Sequence, residues 1–153
     1  MLKKIISGGQ TGVDRAALDV AIRLGIPHGG WLPKGRFTED GPLPAQYILE
    51  EMPTDSYRER TEKNVMESDG TLIISRGSPT GGTDYTRIQV LRHRKQLLGI
   101  DLNNQSNIRE AASLIASWIE LQHIAILNVA GPRASKDPAI YQDTMNLLIF
   151  ALQ

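Results

Sequence analysis

The patterns in this chain best suited to cradle an anion are three glycine-bearing segments. They are Gly8-Gly9-Gln10-Thr11-Gly12, Ser78-Pro79-Thr80-Gly81-Gly82-Thr83 and Gly131-Pro132-Arg133-Ala134-Ser135-Lys136. Glycine lets the backbone approach a ligand closely, and successive N–H groups in such a loop form a concave anion site. Gln10 and Thr11 add side-chain hydrogen bonds suited to a polar heterocycle or a phosphate. The second segment pairs its glycines with three hydroxyls. The third adds Arg133, whose guanidinium suits bidentate phosphate or carboxylate, and the second cation Lys136. Asp14 is of opposite sign and sits in a first helical turn, where a carboxylate already meets the positive end of the helix dipole. It either accepts from a sugar hydroxyl or an amino-heterocycle, or holds Arg15. Lys34 and Arg36, just past the second strand, are further candidate ligand clamps. Each segment also has a plainer use: a tight turn and helix cap, Thr83 as an N-cap before Asp84, or a solvated basic loop.

Each segment follows an apolar run. The first two lead directly into a helical pattern and the third does so a few residues later. Residues 2–7 read as a strand. Residues 14–24 read as a helix with Val13, Ala17, Val20, Ala21 and Leu24 on one face, stopped by Gly25. Thr11 and Asp14 have capping-box spacing, with Gly12 the alternative N-cap. A strand over 26–31 precedes a long loop over 32–46 that is rich in proline and glycine. Residues 57–68 form a polar, charged helix. The apolar run 70–75 is expected as a strand covered on both faces. A helix over 84–98 should turn Ile88, Leu91 and Leu98 inward. Further elements are a strand over 99–102, a helix over 107–122, the most apolar strand over 124–130 and a closing helix over 140–152.

This alternation predicts an α/β fold, a five-stranded parallel sheet with helices on both faces, in a single domain over 1–153. Neighbouring strands lie about 4.8 Å apart, so the loops after strands one, three and five share one ligand only if those strands are adjacent. That requirement predicts the strand order 2-1-5-3-4, with Gly9, Gly82 and Gly131 around one crevice at the carboxyl edge.

Composition excludes several classes. Lys plus Arg and Asp plus Glu both number 17, so no global field attracts nucleic acid or an anionic membrane. With no cysteine there is no disulfide, thiolate metal ligand or cysteine nucleophile. His28, His93 and His123 lack zinc-type spacing, so no metal site is expected. No catalytic nucleophile–base pair is evident, and adjacent Glu39 and Asp40 should point apart. With no signal peptide or 18-residue apolar stretch, a cytoplasmic location is the default.

The long blocks Ser7-Gly8-Gly9-Gln10-Thr11-Gly12-Val13-Asp14-Arg15 and Asn128-Val129-Ala130-Gly131-Pro132-Arg133-Ala134-Ser135-Lys136 carry a resemblance. With Gly29-Gly30-Trp31-Leu32-Pro33-Lys34-Gly35-Arg36 and Gly81-Gly82-Thr83, they make the chain resemble the molybdenum carrier family over nearly its whole length. The resemblance implies a Rossmann-like three-layer domain that binds molybdenum cofactor, a phosphorylated pterin (molybdopterin) carrying the metal. The partners expected are this phosphorylated small molecule, molybdoenzymes as recipients, and further copies of the chain in a homo-oligomer. The family is similar to a wider group that includes lysine-decarboxylase-like, cytokinin-activating phosphoribohydrolases. Those use a P-G-G-x-G-T-x-x-E loop, and here Thr86 stands at the glutamate position, with Asp84 displaced from it. A binding protein is therefore expected first, and a nucleotide sensor or nucleoside-monophosphate phosphoribohydrolase second.

Overall fold

The computed structural model describes residues 1–105 and 107–153. In chain order the elements are β1 (Lys4–Ile6), α1 (Val13–Leu24), β2 (His28–Gly29), β3 (Trp31–Leu32), β4 (Phe37–Thr38), β5 (Gly41–Pro42) and β6 (Glu50–Glu51). They continue with α2 (Tyr57–Glu67), β7 (Gly70–Ser75), α3 (Gly81–Arg92), β8 (Gln96–Asp101), α4 (Ile108–Leu121), β9 (Ile126–Ala130) and α5 (Ile140–Leu152).

Five strands form one parallel sheet in the order β2-β1-β9-β7-β8. Counting only these five, the order is 2-1-5-3-4, as required for the three loops to meet. The last strand is central, with Leu127 beside both Ile5 and Gly70. Helices α1, α4 and α5 pack together on one face, and α2 and α3 on the other.

Strand alternation gives the two faces different chemistry. Ile5, Leu72, Ile74, Leu127 and Val129 join Val13, Ala17, Ile115, Leu147 and Leu148 in the main apolar core. The opposite face carries Thr71, Ser75 and Asn128, all buried. Helix α2 buries Arg60, Asn64 and only one aliphatic side chain, Val65. A second, smaller core of Leu18, Leu32, Leu43, Tyr47 and Leu49 fastens the segment after β3 onto α1. That segment is more ordered than a bare loop: β3 pairs with β6 and β4 with β5.

Helix α3 departs from expectation. It stops at Arg92, and Ile88 and Leu91 are 45% and 55% exposed while Thr83, Thr86, Gln89 and Val90 face inward. Arg94, at φ 55°, ends it: Lys95 N–H donates to Val90 O at 3.0 Å and Arg94 N–H to Leu91 O at 3.1 Å. This is the Schellman termination usually built on glycine. Residues 96–98 are thereby released into β8, three residues longer at its start than expected.

Candidate functional site

Because β1, β9 and β7 are neighbours, the loops at their carboxyl ends open onto one cleft of about 460 Å³. Gly8, Gln10 and Asp14 contribute from the first loop and helix, and Gly81, Gly82, Thr83, Tyr85 and Thr86 from the second. The third loop contributes Gly131, Pro132, Arg133 and Lys136, with Asn128 in β9 beneath them. The remaining wall is α2, through Tyr57, Arg58, Arg60, Thr61 and Asn64. Four cations thus surround one carboxylate, Asp14.

The two helices that leave the first and second loops start differently. At α1, Gly12 is the N-cap at φ 79°, and Val13 N–H donates to Pro132 O at 3.2 Å. A Cβ at Gly12 would stand 2.3 Å from that carbonyl, so this helix end is closed against the third loop. The capping box is not formed, because Thr11 Oγ1 donates to Glu39 and accepts from Ala134 N–H at 3.1 Å. At α3, Thr80 is the N-cap and no side chain caps the helix. Thr83 lies inside the first turn rather than at the cap. A Cβ at Gly82 would meet nothing within 4 Å, and one at Gly81 would stand 3.0 Å from Lys136 Nζ. An uncapped N-terminus with an ammonium above it has the dipole and the donors that suit an anion.

Deeper in the cleft, Arg60 Nη1 donates to Gly8 O at 2.7 Å and stands 3.8 Å from Asp14 Oδ2, which also accepts from Gln10 N–H at 3.3 Å. Any side chain at Gly8 would collide with the guanidinium, its Cβ falling 1.6 Å from Nη1. Burial pushes the Asp14 carboxyl up from 3.8 to about 6, against the opposing pull of Arg60. Burial likewise lowers the pKa of Arg60.

The other candidate residues brace the loops or lie elsewhere. Glu39 ties the first loop to the third: it accepts from Thr11, from Ser135 N–H at 3.0 Å and from Ser135 Oγ at 2.5 Å, with Arg133 Nε at 3.6 Å. These hydroxyls hold its carboxyl below the usual range. Its neighbour Asp40 points away, to Thr38 at 2.6 Å and Arg15 at 3.5 Å. Arg15 also donates to Gly9 O and stacks on Tyr47. Gly9 turns toward Leu43 and Leu49 rather than the cleft, so Gly8 stands at the crevice instead. Arg36 is occupied by three carbonyls, of Leu43, Pro44 and Tyr47, and Lys34 is exposed; neither lines the cleft. Asp84 is held by Arg87 at 2.7 Å, also outside it.

Sequence reasoning missed the α2 wall, Tyr85 and Asn128. The available signals were a helix too polar to be anchored by its aliphatic residues, and an asparagine inside the most apolar strand. Among the described residues no group of His, Asp or Glu is placed to hold a metal ion, and no helix is long and apolar enough to cross a membrane.

The family described as Circularly permutated YpsA SLOG family matches residues 5–152. The chain is similar to a "Putative molybdenum carrier protein" from Syntrophus aciditrophicus SB, solved by crystallography at 1.45 Å. The two are 57% identical with a TM-score of 0.97, over 99% of this chain and 96% of that one. No curated protein matches.

Proposed function

This chain belongs to the circularly permuted YpsA branch of the SLOG family, and from that premise we propose that residues 1–153 form one unit that binds, rather than transforms, a phosphorylated heterocycle, with molybdenum cofactor as the leading candidate. The observation that carries this is the convergence of three glycine loops on one cleft holding four cations and an uncapped helix end. Such a site suits a phosphate at α3 and a planar ring across the cleft, where Tyr57 and Tyr85 are among the lining residues. The name of the 57%-identical neighbour supports molybdenum as part of the cargo. With no cysteine in the chain, the metal would keep its own ligands, and recognition would fall on pterin and phosphate. Molybdoenzymes would then be the recipients.

Binding is preferred over glycosidic cleavage because Thr86, at the position of the hydrolase glutamate, donates its hydroxyl to Gly82 O at 3.1 Å. Asp84, the displaced alternative, is paired with Arg87 outside the cleft. Mass spectrometry of small molecules released from the purified protein tests the reading. A phosphorylated pterin is expected. A bound nucleotide would make the protein a nucleotide sensor, and free base released from a nucleoside monophosphate would make it a hydrolase.

A further inference from the structure

Resting on that reading of the cleft, we propose that Asp14 and Arg60 together select the ring by its edge, taking the amino-oxo edge of a pterin (2-amino-4-oxo) or a guanine (2-amino-6-oxo) over the 6-amino edge of an adenine. The two side chains lie side by side, 3.8 Å apart, and are only 8% and 9% exposed. An ionised carboxylate only accepts hydrogen bonds and a guanidinium only donates them. Beyond the Gln10 N–H on Oδ2 and the Gly8 O on Nη1, the remaining lone pairs and guanidinium N–H groups can offer a ring edge acceptor, acceptor, donor. The amino-oxo edge offers the complement: amino N–H, ring N–H, carbonyl oxygen. Adenine would instead turn a ring-nitrogen lone pair toward a carboxylate oxygen, and like poles would meet.

Arg60 supplies an independent observation. Its Nη1 is fixed by Gly8 O at 2.7 Å, yet its Nε is buried without a hydrogen-bond partner among the described residues. A buried donor left unpaired is costly, and of the buried side chains with such an orphan Arg60 alone lines the cleft among the described residues. Asn64 and Asn128, both buried, line the same cleft; Asn64 is held through both ends of its amide by the Trp31 backbone, and Asn128 Nδ2 donates to Thr71 Oγ1, so they form a fixed polar floor. Asp14 is the sole carboxylate among the lining residues, so no other group there duplicates its two acceptors.

The test is calorimetric titration of ligand-free protein with GMP, IMP, AMP and neopterin monophosphate. GMP and IMP differ only by the exocyclic amino group. GMP or neopterin monophosphate is expected to bind at least about tenfold more tightly than IMP and AMP, the worth of a charge-assisted hydrogen bond. Asp14→Asn should weaken whichever amino-oxo probe binds by a similar factor and narrow its advantage over IMP, which keeps the ring N–H but lacks the amino group. Equal binding of GMP, IMP and AMP to the unaltered protein overturns the edge selection and leaves the phosphate-binding reading standing. Binding of none of the four overturns both. The comparison on unaltered protein needs no variant, so a poorly folded Asp14→Asn protein does not remove the test.

Discussion

One face of the central sheet presents Ile5, Leu72, Ile74, Leu127 and Val129 to α1, α4 and α5; the other presents Thr71, Ser75 and Asn128 toward α2 and α3. The first face is filled by aliphatic side chains, with Thr144 of α5 a buried polar exception. The second holds a buried arginine, two buried asparagines and the cleft. Apolar burial is worth about 25 cal/mol per Å², so the first face holds the fold together. The second gives up part of that stabilisation for polar groups: Asn128 donates to Thr71 Oγ1 at 3.2 Å and also lines the cleft.

The contrast can be broken most forcefully on the apolar face. Leu72, fully buried, is expected to cost about 2–5 kcal/mol of stability when changed to Ala, read by chemical denaturation. Asn128→Ala, one strand away on the polar face, should cost clearly less while weakening ligand binding. A larger stability loss at Asn128 than at Leu72 would reverse the assignment of the two faces.

Next in size is Arg133→Ala, expected to weaken a phosphorylated ligand by about 1.5–3 kcal/mol with little change in stability. Its side chain is 48% exposed and its pairing with Glu39 is long, at 3.6 Å, so the fold leans on it little. Unchanged affinity in a titration would make it a surface residue.

Asp14→Asn should raise stability at neutral pH. The folded carboxyl titrates near 6 and the unfolded one near 3.8, so the folded state holds the proton more tightly. This favourable contribution is full below about pH 4, declines as pH rises and is gone above about pH 6, leaving a buried charge. Removing that charge should stabilise the protein by on the order of 1–3 kcal/mol at pH 7.5 and by less at pH 5. Thermal melts at the two pH values decide it, and a variant less stable at pH 7.5 would mean that Arg60 depends on the charge.

The smallest change sharpens the view of the open helix end. Gly82→Ala meets no neighbour within 4 Å and lies in the first turn of α3, so a gain of about 0.5–1 kcal/mol is expected. If phosphate occupies that end, the added methyl should also lower its affinity. A stabilised variant with undiminished binding would move the phosphate elsewhere.

The strand order was readable from the sequence because it followed from one geometric demand, that three similar loops share a ligand. Local signals failed where ordinary markers were missing. Gly25 announces the end of α1, but the same termination at α3 uses Arg94 and at α4 uses His123, at φ 53°. Neither residue looks like a stop, and Leu98 was therefore assigned to a helix. Arg60 was not legible for another reason. Its partners are Gly8, 52 positions away, and Asp14, almost as distant, so nothing near it in the chain marks it as buried. Conversely, Arg36 and Lys34 looked equivalent in sequence, and only the folded loop shows Arg36 occupied by three carbonyls.

The central place of the last strand has a consequence for how the protein is made. A nascent chain that has emerged only as far as α4 can form two half-sheets, β2-β1 and β7-β8, with no hydrogen bonds between them. Each presents an unpaired inner edge, and the gap is filled only when β9 arrives and pairs with both. Contacts this distant along the chain slow folding, and waiting edges invite wrong pairing. The same event that seals the sheet delivers Arg133 and Lys136. The cleft is thus timed by translation: a chain still lacking its last strand has no walls to close around anything, and only a finished fold has a site.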